Sequence, residues 1–265
     1  MNKLREPAVA GIFYPLKADE CRQAVRQHLQ TKQFTGAEVD GLRALIVPHA
    51  GYIYSGPVAG AAYRLLAPYR DHFRRVILLG PNHTAPLRGI ALPTQQAFAS
   101  PLGTVPLATG LIKTMLEFPG VSLSDRHHAR EHCLEVQLPF LQCCLGEFDL
   151  LPGVVGEHPP RDVARFIAHS VADAPVSSLL VISSDLSHFL PLKRAREADS
   201  NTSILIGKLQ ADLRPEQACG CHAVNGLLQY ARDNDLRITC LGRCTSADTA
   251  GDPNRVVGYG SYALW

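Results

Sequence analysis

Leu45-Ile46-Val47-Pro48-His49 and Val76-Ile77-Leu78-Leu79-Gly80-Pro81-Asn82-His83 are two apolar runs, each closed by proline or glycine and leading to a histidine. Continuous aliphatic runs of this length read as strands buried on both faces of a parallel sheet. The residues just past the carboxyl end of such a strand lie on the edge where open α/β folds build their sites. A lone loop histidine more often does no more than satisfy backbone at a turn. Two at equivalent strand exits point instead to a converging pair, and imidazole is both the commonest neutral metal ligand and the usual proton carrier near pH 7.

The expected architecture is one α/β domain over residues 1–265, a mostly parallel central sheet flanked by helices. With 46% hydrophobic and 19% charged residues the chain has the make-up of an ordinary globule. A formal net charge of +2 gives no basic field for nucleic acid. The densest basic cluster, Lys193-Arg194-Ala195-Arg196, reads as a solvated helix face. No apolar stretch approaches the ~20 residues that span a bilayer. The start of the chain lacks the apolar core of a signal peptide, so no membrane and a cytoplasmic location are expected. The eight cysteines show neither paired CxxC knuckles nor small-scaffold spacing and read mostly as small buried hydrophobes.

Along the chain the pattern predicts helices near Asp19 to Gln30, from the Gly51–Pro57 stretch through Ala67, and over Arg130–Leu145, Arg161–Ala172, Glu197–Leu213 and Cys219–Arg232. Strands are predicted over Arg43–Val47, Arg75–Leu79, Gly89–Leu92, Phe148–Val155, Ser178–Ser184, Arg237–Thr245 and Arg255–Leu264, the last loosened by Gly258 and Gly260. Pro139 predicts a kink or a break in the Arg130–Leu145 helix. The polar, proline-rich stretch from Pro93 to Pro106 reads as a long loop rimming the site.

Three further clusters carry chemistry. In Val181-Ile182-Ser183-Ser184-Asp185-Leu186-Ser187-His188 a third buried strand runs out to a histidine, and Asp185 is close enough to orient a ring, its neighbour's or one from another strand. A Ser-His-Asp triad packed into six positions is hard to align, and no G-x-S-x-G elbow is present. Cys219-Gly220-Cys221-His222 opens a helix whose dipole favours a thiolate, which suits metal ligation or nucleophilic work. In Arg130-Glu131-His132-Cys133-Leu134-Glu135, His132 and Glu135 share a helix face at i, i+3. Neither a di-iron Glu-x-x-His pair nor HExxH is present.

Taken in order, Arg5–Pro15, Pro48–Gly56, Leu79–His83, Phe98–Gly103, Glu131–Glu135, Ser183–His188, Cys219-Gly220 and Val256–Ser261 make the chain resemble the Memo family over nearly its whole length. Its bacterial and archaeal members are often called protein B of the AmmeMemoRadiSam system. The resemblance implies the fold of LigB-type class III extradiol dioxygenases, which hold non-haem Fe(II). It implies His49, His83 and Cys219 as metal ligands, with Cys221 and His222 as competitors beside Cys219, and His188, beside Asp185, as catalytic acid/base. Glu131 and His132 join these as candidate catalytic residues. Dioxygenases of that fold close the ligand triad with a carboxylate where this chain has a thiolate, and Cys133 stands in a serine's place. Radical-SAM and AMMECR-type partners are implied by the family name.

These residues leave three functions open. A two-histidine, one-anion face leaves open positions on Fe(II) for O2 chemistry, while the softer thiolate also suits copper or zinc. The cleft could instead hold a metal, a small molecule or a peptide without catalysis. As zinc ligands the same residues could activate water for hydrolysis, with Glu131 or His188 as base.

Overall fold

The computed structural model describes residues 3–31, 33–34, 39–172 and 177–265. In chain order the elements are β1 (Leu4–Arg5), α1 (Ala18–Leu29), β2 (Ala44–Val47), α2 (Tyr52–Tyr63), β3 (Arg75–Pro81), β4 (Ile90–Leu92), β5 (Ala97–Ser100), β6 (Gly103–Pro106), α3 (Thr109–Met115), β7 (Val121–Leu123), α4 (Asp125–Ala129) and α5 (Leu138–Cys144). They continue with β8 (Asp149–Val155), α6 (Pro160–Ala172), β9 (Ser178–Ser183), β10 (His188–Leu190), α7 (Leu192–Gly207), α8 (Cys221–Asp233), β11 (Ile238–Thr245) and β12 (Val256–Leu264). Among the described residues no helix is long and apolar enough to cross a membrane.

The large sheet runs β10-β12-β2-β9-β3-β8-β4-β7, with β11 also paired to β12. Its middle, β2-β9-β3-β8, is parallel throughout, and antiparallel β12 and β4 flank it on either side. The middle strands are aliphatic at nearly every position, so both faces must be covered. One group of helices, α1, α2 and α5, packs together, and a second, α3, α6 and α8, packs against β3, β8 and β9. The α/β class with a mostly parallel sheet is therefore the one the apolar runs predicted. The register pairs Val47 with Ser183 and Leu79 with Ile182, so the carboxyl ends of β2, β9 and β3 are level.

Several boundaries differ from the sequence expectation, each for a local reason. The Arg130–Leu145 segment does not form one helix. It breaks into a turn, a 3-10 turn over Glu135–Gln137, and α5, whose first turn holds Pro139 where no N–H is needed. Helix α7 starts five residues before the expected Glu197, directly after Pro191, and Leu209 beyond its end takes a left-handed φ of 54°. Lys193, Arg194 and Arg196 are exposed on α7, as their cluster predicted. Strand β12 is not loosened by its glycines, because Gly258 makes room for the Asp199 carboxylate.

The Pro93–Pro106 stretch is not a rim loop. It forms the β5–β6 hairpin, completed by β1 into a separate three-stranded sheet. Its β6 end lines a concavity of about 680 Å³ with Arg74 and Asp149, at the amino ends of β3 and β8. That is the edge opposite the histidines, so the hairpin cannot close over them.

The N-terminal segment and the 128–137 segment are joined by one buried ion pair. Arg5 Nη1 donates to Glu135 Oε2 at 2.8 Å, Nε to the His128 carbonyl at 2.8 Å and Nη2 to the Glu131 carbonyl at 2.7 Å. Glu135 also accepts from Ala8 N, Val9 N and the Tyr14 hydroxyl at 2.7, 2.9 and 2.6 Å. Removing one partner of such a pair strands the other charge in the core. Glu135→Ala is expected to cost about 3–5 kcal/mol of unfolding free energy in denaturant titration. A cost below about 1 kcal/mol would mean that the pair does not hold the segments together.

Candidate metal and acid–base site

His49 and His83 each stand two residues beyond the ends of β2 and β3, and Asp185 two beyond β9, the strand between them. Level strand ends thus deliver all three to one place. The His49 and His83 ring centroids are 5.2 Å apart. His132 lies against both, 5.4 Å from His49 and 4.7 Å from His83, nearly parallel to the latter at 27°. Candidate ligand atoms of His49, His83 and His132 lie within 4.8 Å of one another, as do those of His83, Glu131 and Cys133.

A buried relay fixes the His49 tautomer. The Ser183 hydroxyl has one proton, which it donates to the Cys133 carbonyl at 2.7 Å. It accepts from Gln137 Nε2 at 2.9 Å, and its contact with His49 Nδ1 at 2.9 Å must then be donated by the ring. Gln137 is itself held by donating to the Pro48 carbonyl and accepting from the Tyr63 hydroxyl, each at 2.9 Å. The bare nitrogen of His49 is therefore Nε2, and Cys219 Sγ lies 3.3 Å from it. Burial, then the neighbouring charges of His83, His132 and His188, hold this ring well below the usual histidine pKa, so it is neutral.

His83 is oriented by a carboxylate. Glu131 accepts from its backbone N at 2.7 Å and lies 2.9 Å from its Nδ1, and a third bond comes from Cys133 N at 3.1 Å. Burial alone would raise the Glu131 pKa, but the His83 bond and charge and these two backbone N–H groups win and bring it down to about 2. Burial opposes protonation of His83, yet Glu131 and Asp185 lift its pKa above the usual value. His83 is the more open of the two rings, its side chain 31% exposed against 2% for His49.

Asp185 serves the ring from another strand rather than its own neighbour. Its Oδ1 accepts the His49 backbone N–H at 2.8 Å, and Oδ2 is 3.9 Å from His49 Nε2. Burial raises its pKa to about 7 against the pull of the His49 and Ala50 N–H groups. His188 sits half-buried where β10 bulges against β12, with Phe189 after it at a left-handed φ of 61°. Burial lowers its pKa, and the charge of His83 reaches it.

Cys219 precedes α8, with Gly220 as the cap. A β-carbon at Gly220 would come within 2.7 Å of Ser184 Cβ and 2.8 Å of the Ser183 carbonyl, so only glycine lets α8 approach β9 this closely. Asp185 N donates to the Cys219 sulfur at 3.3 Å. The helix dipole does not make Cys219 a thiolate here. Burial, then the Asp185 charge, raises its pKa, so only a bound cation would deprotonate it. Cys221 is buried in the apolar core. Cys219 meets the histidine cluster through His49, and neither it, Cys221 nor His222 belongs to a group of three mutually close candidate ligands among the described residues.

The structure thus brings His49, His83, Cys219, Asp185, His188, Glu131 and His132 to one neighbourhood, but not in the expected roles throughout. Glu131 spends its oxygens on orienting His83. His132 and Glu135 do not share a helix face, since Glu135 turns inward to Arg5. Sequence reasoning misses the part played by Ser183 and Gln137, although Gln137, set between Val136 and Leu138, is a visible sign of a buried polar group needing a partner.

The protein-family profile described as Memo-like protein matches residues 5–263. A MEMO1 family protein of Thermotoga maritima is 33% identical over 280 residues, covering 98% of this chain and 99% of that one. One from Aquifex aeolicus is 35% identical over 273 residues, with 97% of each chain covered. Among solved structures, an uncharacterized protein, JW3007, from Escherichia coli K12 is similar with a TM-score of 0.54 at 12% identity, covering 84% of this chain and 99% of that one. That likeness concerns the fold.

This geometry has consequences for stability. In metal-free protein, a pKa raised in the folded state means that Asp185 contributes stability below its unfolded value near 4 and loses it as pH rises to about 7. Wild type is therefore expected to gain stability over Asp185→Asn as pH falls from 7 to 4 in paired denaturation curves; a flat or reversed difference would contradict the assignment. Gly220→Ala is expected to cost about 1–3 kcal/mol in the same measurement, because the clash is with the backbone of β9 and the buried Cβ that follows it.

Proposed function

Since the chain belongs to the Memo-like protein family, we propose that the histidine cluster is a metal centre and the protein a metal-dependent redox enzyme related to class III extradiol dioxygenases. His49, His83 and Cys219 would be the ligands, with non-haem Fe(II) the expected metal and copper or zinc also suited to the donors. The observation that carries this reading is the pair of locked tautomers. Ser183 and Glu131 each take an Nδ1–H, so both rings turn Nε2 outward, as metal-bound histidines do when a hydrogen bond holds their other nitrogen. The chemistry fits: two imidazoles and one sulfur that a cation would ionise.

A bound Fe(II) or copper ion would supply electron transfer to O2 or substrate. The protein's own groups supply the rest. Ser183 and Glu131 hold the rings. Asp185 holds the His49 backbone and, through its N–H, the Cys219 sulfur. His188 would carry a proton at its imidazole, since burial favours the neutral ring that can accept one. Glu131 does not suit the role of base in a zinc hydrolase, since its oxygens are engaged and its pKa is depressed. His188 is the better candidate for any proton transfer.

Metal analysis after anaerobic purification, with O2 uptake then measured on a catechol panel, tests the reading. Protein without bound metal would overturn it; bound metal without uptake would leave a binding module. Cys219→Ala is expected to lose metal on dialysis against a weak chelator, whereas His188→Ala keeps it and loses about 10²–10⁴-fold in turnover. Equal metal loss in the two variants would make His188 a ligand and refute this division of roles.

A further inference from the structure

Of the four histidines in the cluster, His132 has the least explained position. It sits in the turn before α5, its side chain 23% exposed, with Phe13 tilted against it at 4.9 Å and His83 stacked on it at 4.7 Å. Its Nδ1 faces Glu131 Oε1 at 3.5 Å, the same oxygen that lies 2.9 Å from His83 Nδ1. One carboxylate oxygen thus draws the Nδ1 side of two near-parallel rings. Both rings then turn their Nε2 away from Glu131, and neither Nε2 has a hydrogen-bond partner among the described residues. His49 adds a third outward nitrogen, with the Cys219 sulfur beside it, and candidate ligand atoms of the three histidines lie within 4.8 Å of one another. Two metal–nitrogen bonds together span about 4 Å, so small ring rotations would bring all three onto one ion.

We propose that His132 is a ligand of the metal centre, making a set of three imidazoles and the Cys219 thiolate. This rests on the reading of the site as a metal centre and deepens it. Three imidazole nitrogens and one soft anion are a donor set that, of the metals named above, suits copper or zinc better than Fe(II), so the metal-centre reading is kept and its expected metal changes. In this arrangement Glu131 is the common orienting group of two ligands. The run Glu131-His132-Cys133 then supplies a ligand and its carboxylate from adjacent residues, while His83 arrives from β3. His188 stands outside the set as the proton carrier.

The test is X-ray absorption at the zinc edge of the full chain reconstituted with zinc alone, together with zinc affinity from chelator competition. Wild type is expected to show three imidazoles and one sulfur. His132→Ala and His132→Gln should show two imidazoles, with affinity at least about 10-fold lower. His188→Ala should keep three imidazoles. Two imidazoles in wild type, or three retained in both His132 variants, would overturn the proposal even if affinity fell, since a positioning residue changes affinity but not the count. A wild-type protein that takes up no zinc, iron or copper would instead overturn the metal-centre reading itself. The two variants at position 132 separate ligand loss from misfolding, because Gln keeps most of the side chain packed against Phe13 and His83.

Discussion

The buried pair between Arg5 and Glu135 is the constraint on which the site's inner wall depends. Glu135 is fully buried, and a carboxylate there is tolerable only because a guanidinium, two backbone N–H groups and the Tyr14 hydroxyl satisfy it. The same guanidinium captures the carbonyls of His128 and Glu131. One side chain from the second residue of a two-residue strand therefore fixes the turn that carries Glu131, His132 and Cys133. Phe98 of the β5–β6 hairpin lies under that guanidinium at 5.1 Å, so the hairpin serves the site as a buttress from behind.

From that turn, order is passed on by hydrogen bonds. Each residue of the Glu135–Gln137 turn is held by a tyrosine: Tyr14 on the Glu135 carboxylate, Tyr52 on the Val136 carbonyl and Tyr63 on the Gln137 side chain. Gln137 then fixes Ser183, and Ser183 fixes His49. Such a network is costly if one member is missing and rigid when all are present. Its result is chemical. Two imidazoles are kept neutral or oriented with a chosen nitrogen outward, and the groups that orient them are removed from any other use. This is why Glu131, placed beside reactive residues, is better understood as a support than as an acid or base.

Much of this was legible in the chain. The aliphatic runs at Leu45–Val47, Val76–Leu79 and Val181–Ile182 can only be strands buried on both sides, and the residues beyond them must emerge at the same edge. Family motifs carried Cys219 and His188 to the site. Local pattern failed where tertiary contacts override it. Leu134, Leu138 and Leu141 keep helical spacing, yet Arg5 and the tyrosines pull Glu135–Gln137 into a tighter turn. The proline-rich stretch before Pro106 carried loop signals, but pairing with β1, remote in sequence, made it a sheet.

The sequence by itself determined the sheet's parallel centre and the strand exits that carry His49 and His83, because these depend on hydrophobic period and on residues adjacent along the chain. Tertiary structure alone decided the roles. Which nitrogen of His49 is bare depends on where the one proton of Ser183 goes, and that depends on Gln137 and the Cys133 carbonyl, roughly fifty residues away. Whether Cys219 is a thiol or a thiolate depends on its burial and on Asp185, whose proximity opposes the helix dipole. Hydrogen-bond donors are finite and burial has a cost, and both are settled only when distant segments meet.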